Sequence, residues 1–99
     1  MHKLCKINWS NTSLSQAASI KHYLQENFSQ KEINTFYALL KSFENAIALF
    51  PKLYQVSAKK KEIRRAVLSK ELSVFYRYKN KCIEVLAMFD NRCDLTDWI

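Results

Sequence analysis

Leu72-Ser73-Val74-Phe75-Tyr76-Arg77-Tyr78-Lys79-Asn80-Lys81-Cys82-Ile83-Glu84-Val85-Leu86-Ala87-Met88-Phe89 is the stretch that decides the fold. Both halves are rich in the aliphatic and aromatic residues that suit a pleated surface, and a polar break at Lys79-Asn80-Lys81 divides them. The pattern predicts two antiparallel strands, 72–79 and 82–89, joined by a tight hairpin. The chain contains no glycine, so turns that need positive φ fall to asparagine, with Asn80 and Asn91 as the candidates. Alternation puts Val74, Tyr76 and Tyr78 on one face and Phe75 and Arg77 on the other. In the following strand it puts Ile83, Val85, Ala87 and Phe89 on one face, and Glu84, Leu86 and Met88 on the other.

Upstream, Lys59-Lys60-Lys61-Glu62-Ile63-Arg64-Arg65-Ala66-Val67-Leu68 reads as a more basic strand over 62–68, reached through an exposed connection over 52–61. Before it the period changes from two to 3.6. Ile33, Phe36, Tyr37, Leu40, Phe43, Ile47 and Phe50 recur at helical spacing, and Pro51, the only proline, stops the run. Ser29-Gln30-Lys31-Glu32 is a capping box that opens this helix and closes an earlier one. The earlier helix runs over 14–27, with Leu14, Ala17, Ala18, Lys21, Leu24 and Phe28 on its stripe and Ile20 and Tyr23 beside it. Ser10-Asn11-Thr12-Ser13 supplies turn and N-cap residues. A short first strand over 3–9 places Cys5, Ile7 and Trp9 on one face, with Trp9 read as core.

The order is strand, two-helix hairpin, then three antiparallel strands, β-α-α-β-β-β. It predicts an α+β two-layer sandwich forming a single domain over 1–99. One helical hairpin covers one side of a sheet that is apolar on both sides, which leaves surface for a partner chain. The basic connection, or the tail over 95–99 with its Trp98, is the alternative cover.

At 99 residues and 48% hydrophobic, the chain can bury a core and is not a disordered tail. No apolar run is long enough to span a bilayer and Met1-His2-Lys3-Leu4-Cys5-Lys6 leads into no signal-peptide core, so a soluble cytoplasmic protein without membrane association is expected. Cys5, Cys82 and Cys93 are odd in number and have no metal or redox spacing; reduced structural thiols, no metal and no cofactor are expected. The net charge of +7 is concentrated: residues 51–81 carry ten Lys or Arg against two acids. Such a region favours an anionic partner, either nucleic acid or an acidic protein segment. Lys59, Lys60, Lys61, Arg64, Arg65, Arg77 and Arg92 are the binding candidates, because Arg stays charged and offers a rigid fork of donors. Arg64 and Arg65 have an equally good use in pairing with Glu62, Glu84 or Asp90.

The series Phe50-Pro51-Lys52-Leu53-Tyr54, Ile63-Arg64-Arg65, Phe75-Tyr76-Arg77-Tyr78, Ile83-Glu84-Val85-Leu86 and Phe89-Asp90-Asn91-Arg92 resembles, in this order, the RelE/ParE superfamily of bacterial toxins from type II toxin–antitoxin systems. The resemblance covers most of 14–92 and is most specific over 50–92. It implies a growth inhibitor neutralised by a cognate antitoxin in a hetero-oligomer, with an apolar and acidic antitoxin segment wrapping the toxin. One branch of the family cleaves messenger RNA on the ribosome without a metal; on that branch Lys60, Arg65, Arg77 and Arg92 are the catalytic candidates, and Glu84 is a base only if it faces the cations. The other branch binds DNA gyrase. This chain has no Tyr or His after Tyr78, which leans toward the gyrase branch. A non-toxic basic nucleic-acid-binding module is the reading from a different class; it has neither a helix-turn-helix nor a glycine-rich phosphate loop to support it.

Overall fold

The computed structural model describes residues 5–60 and 62–92. Lys61, Cys93, Trp98 and the tail over 95–99 lie outside them, as do Lys3 and Leu4 of the expected first strand. Six elements follow the predicted order: β1 (Lys6–Trp9), α1 (Asn11–Asn27), α2 (Gln30–Leu49), β2 (Arg64–Val67), β3 (Leu72–Lys79) and β4 (Cys82–Asp90). The strands form one mixed sheet in the order β1-β4-β3-β2, with β1 parallel to β4 and the other pairs antiparallel. Among the described residues no helix is long and apolar enough to cross a membrane.

The α1–α2 hairpin covers one face. Ile20, Leu24, Ile33, Phe36, Phe43 and Ile47 from the helices meet Ala66, Leu72, Val74, Tyr76, Ile83, Val85 and Met88 from the sheet. Trp9, half-buried beside this core, donates its indole N–H to Glu44 at 2.9 Å and so ties β1 to α2. The capping box forms as read: the Glu32 carboxylate accepts from the Ser29 backbone N–H at 3.2 Å and from its hydroxyl. The Ser29 hydrogen bond holds the Glu32 carboxyl below the usual carboxylate range.

Several boundaries and faces differ from expectation. Helix α1 begins at Asn11, because Ser10 caps it and accepts the Ser13 N–H at 3.0 Å. Its buried residues are Ser13, Ile20 and Leu24, whereas Leu14 and Phe28 are exposed. The buried Ser13 hydroxyl is satisfied by the Ser10 carbonyl at 2.8 Å, so a polar residue holds the core-facing position that Leu14 was expected to hold. In α2, Tyr37 and Phe50 leave the predicted stripe and are exposed. Strand β2 is shorter than 62–68, and the connection over 52–61 is not simply solvated. Val56 bridges antiparallel to Arg64, with Ser57 N–H to Ile63 O at 2.6 Å and Arg65 N–H to Gln55 O at 3.0 Å.

The largest correction concerns β4. Val74 pairs with Met88 and Phe75 with Ala87, but Tyr76 pairs with Val85, so Leu86 is an extra residue at a bulge. Beyond it the alternation inverts. Met88 and Asp90 face the helices with Ile83 and Val85, while Ala87 and Phe89 join Glu84 on the other face. The backbone groups freed at the bulge are met by α1 and its cap: Ser10 Oγ donates to the Leu86 carbonyl at 3.1 Å, and Gln16 accepts the Met88 N–H at 2.8 Å.

The β3–β4 hairpin closes through Asn80 and Lys81, both left-handed at φ 55° and 61°. Two consecutive left-handed residues match the twist of the flanking strands, the usual reason such two-residue loops are chosen. Asn91 was the other asparagine expected to be left-handed, and it is not.

Candidate functional site

The face of the sheet away from the helices carries Arg65 and Val67 from β2, Ser73, Phe75 and Arg77 from β3, and Glu84, Ala87 and Phe89 from β4. It has an apolar half and a polar half. In the apolar half Phe75 meets Phe89 edge-on at 5.7 Å, and Val67 lies exposed beside them. Because 55–57 pairs with the start of β2, residues 55–59 stand as a wall along this half. Between wall and sheet lies a cavity of about 620 Å³ lined by Val56, Lys59, Arg65, Val67 and Phe75. A second cavity of about 310 Å³ shares Arg65, Val67 and Phe75 and continues across Ser73 and Phe89, with Lys70, Glu71 and Asn91 at its rim. The two form one groove with an apolar floor and a mostly basic border.

In the polar half Arg77 and Glu84 sit directly opposite on β3 and β4 and form an ion pair at 2.5 Å. Each side chain is about two-fifths exposed, at 40% and 42%. Asn8 of β1 is the next residue across the same row. Glu84 therefore shares a surface with Arg77, a point that strand parity alone left open.

The predicted site residues do not converge. Lys59 and Arg65 border the groove, and Lys60 is exposed at the end of its wall. Arg64 turns to the other side and donates to the Tyr54 carbonyl at 2.8 Å. Arg92 belongs to the helix side: it grips the fully buried Asp90 carboxylate through Nε at 2.9 Å and Nη2 at 2.6 Å, and lies 5.3 Å from the centre of the Phe28 ring. The Asp90 carboxylate raises the Arg92 pKa above its ordinary value. Of the four nuclease candidates, Arg65 and Arg77 share the open face, Arg92 is on the opposite side, and Lys60 is on the connecting segment. The placement of Phe89 in the groove was missed, because its face depends on the bulge at Leu86.

No protein-family model and no curated protein sequence matches the chain. Solved structures do. A chain of the chromosomal ParDE toxin–antitoxin system from P. aeruginosa superposes with a TM-score of 0.71 at 14% identity, over 90% of this chain and 98% of that one. The conserved hypothetical protein HP0894 from Helicobacter pylori gives 0.57 at 16% identity, over 91% and 98%. A chain of the E. coli DinJ–YafQ toxin–antitoxin complex gives 0.52 at 14% identity, over 94% and 99%. The likeness is one of fold, shared with chains of two toxin–antitoxin systems.

Proposed function

We propose that this chain is the toxin of a type II toxin–antitoxin pair, held inactive by a cognate antitoxin in the cytoplasm, and that it inhibits growth by binding a protein target of the DNA gyrase kind. The observation that carries this reading is the dispersal of the cations. Cutting RNA through its 2′-hydroxyl requires a base, an acid and cations gathered around one phosphate. Here Arg92 is committed to Asp90, Arg64 to a backbone carbonyl and Arg77 to Glu84. Lys59 and Arg65 border an apolar floor of Val67 and Phe75, which suits the acid-and-apolar side chains of a protein segment. The groove is accordingly the proposed antitoxin seat. The fold likeness to a ParDE chain points the same way.

A second reading has one specific observation in its favour. The Arg77–Glu84 pair sets a carboxylate beside a guanidinium on the open face, a candidate base next to a candidate cation for a ribosome-dependent messenger-RNA endonuclease. Induced expression in a bacterial host decides between them. Under the proposed reading growth stops, transcripts stay intact and a DNA-damage response appears. Transcripts cut within codons, with cutting abolished by Arg77→Ala and by Glu84→Gln, would establish the endonuclease and sink the gyrase reading.

A further inference from the structure

The polar half of the open face continues past the Arg77–Glu84 pair to the turn at Asn80 and Lys81, and this end of the sheet lines no part of the groove. Register fixes what stands there. Lys6 of β1, Cys82 of β4 and Lys79 of β3 make one row, next to the row of Asn8, Glu84 and Arg77. Cys5, Ile7 and Trp9 pack against the helix-side core, so Lys6 and Asn8 point to the open side with Arg77 and Lys79. Arg77, Lys79, Cys82 and Glu84 line, with the amides of Asn8 and Asn80, a concavity of about 240 Å³. Lys81 follows in the adjoining turn, and Lys6, Lys79 and Lys81 are all exposed.

Among the described residues none of these three lysines is in an ion pair. Glu84 is the one acid that lines the concavity, and Arg77 neutralises it. Glu44 accepts the Trp9 indole N–H on the helix side, and Glu62, exposed ahead of β2, is not in the lining. The strands hold the Lys6 and Lys79 backbones two strand spacings apart, about 10 Å. That is about one Debye length at moderate salt, so the lysines repel one another until an anion lies between them. The concavity has no apolar floor: beside Cys82 it holds only Ile83, which is buried toward the helices. An acidic protein segment would find no core to bury there. Lysine, arginine and asparagine are, in contrast, side chains that hold phosphate oxygens. We infer that this end of the sheet is a binding site for the phosphodiester backbone of a nucleic acid, recognised by its charge and not by its base sequence. The inference rests on neither reading of the toxic activity.

The test follows the fluorescence anisotropy of short labelled oligonucleotides titrated with the full-length chain, as single strands and as duplexes, in two unrelated sequences. The expected result is binding that ignores sequence and whose log affinity falls linearly with log salt between about 50 and 200 mM. Lys6→Gln, Lys79→Gln and Lys81→Gln together should weaken binding by about tenfold or more at the lower salt, and each alone should make the slope shallower by about 0.7–0.9. Arginine at the same three positions should restore the affinity. Lys70→Gln, at the rim of the groove, should change neither affinity nor slope. Binding of either form supports the inference, and the comparison shows whether single strands or duplexes supply the phosphates. Because the three lysines are exposed, unchanged thermal melting separates lost binding from lost folding. The inference is overturned if no oligonucleotide binds at the lower salt, or if the triple glutamine variant binds as tightly as the unaltered chain. It is equally overturned if polyglutamate of matched charge binds with the same affinity and slope, which would assign the surface to acidic proteins.

Discussion

At the scale of single residues, the arginines divide into those that hold the structure and those that face outward. Arg92 is the clearest of the first kind. The two bonds of its guanidinium to Asp90 neutralise a carboxylate that has no exposure of its own, on the inner face of β4. Arg92→Ala would leave that buried charge with only the backbone N–H of residue 92, which donates to it at 2.9 Å, and should cost about 3 kcal/mol in urea unfolding. Replacing both partners together with apolar residues should cost much less. Tyr76 makes the corresponding case at high pH. Its ring is buried, its hydroxyl donates to Pro51, and burial raises its pKa above the ordinary tyrosine value. The unfolded chain therefore releases this proton first. The stability Tyr76 contributes is complete below the unfolded pKa and is lost as pH rises through the folded one. Unfolding titrations should show an alkaline loss of stability that Tyr76→Phe reduces, at about 1 kcal/mol of cost near neutrality. Neither role was visible from the chain alone. Arg92 sits two positions after Asp90 at a strand end, and the pattern shows no preference between holding a carboxylate and reaching for a ligand.

At the scale of elements, local chemistry was legible wherever one mechanism acted alone. The capping box at Ser29 and Glu32, the stop at Pro51 and strand 72–79 all lie where the pattern puts them. The hairpin turn shows the limit of that reading. Asn80 was the expected left-handed residue, but the turn needs a second one, and Lys81 takes it without glycine's freedom. Lys81→Gly should relieve that conformation and stabilise the chain by roughly 0.5–1 kcal/mol, measurable as a raised melting temperature. The bulge at Leu86 was illegible for another reason. Counting alternate residues assumes an unbroken ladder, and nothing in Val85-Leu86-Ala87 signals the extra residue. What stabilises it comes from the far end of the chain, through Ser10 and Gln16. One unsignalled residue moved Phe89 from the expected core face into the groove and put Asp90 in the core. The candidate site was therefore legible as composition, a basic and apolar sheet, but not as an arrangement.

At the scale of the whole molecule, the architecture followed from the order of its periodicities, while the sharing of charge among its surfaces had to be observed. The sheet has a further consequence, for the order in which the protein is made. Strand β1 leaves the ribosome first, yet its neighbour is β4, the last strand of the sheet: Ser10 reaches Leu86 across 76 positions of sequence. The helical hairpin can form early, since its contacts are local, but the sheet cannot close until β4 has emerged. A half-made chain thus lacks both the groove and the wall beside it. On the proposed toxin reading, the chain would stay harmless through most of its own synthesis, and the interval before β4 emerges is time in which a neutralising partner could already be waiting.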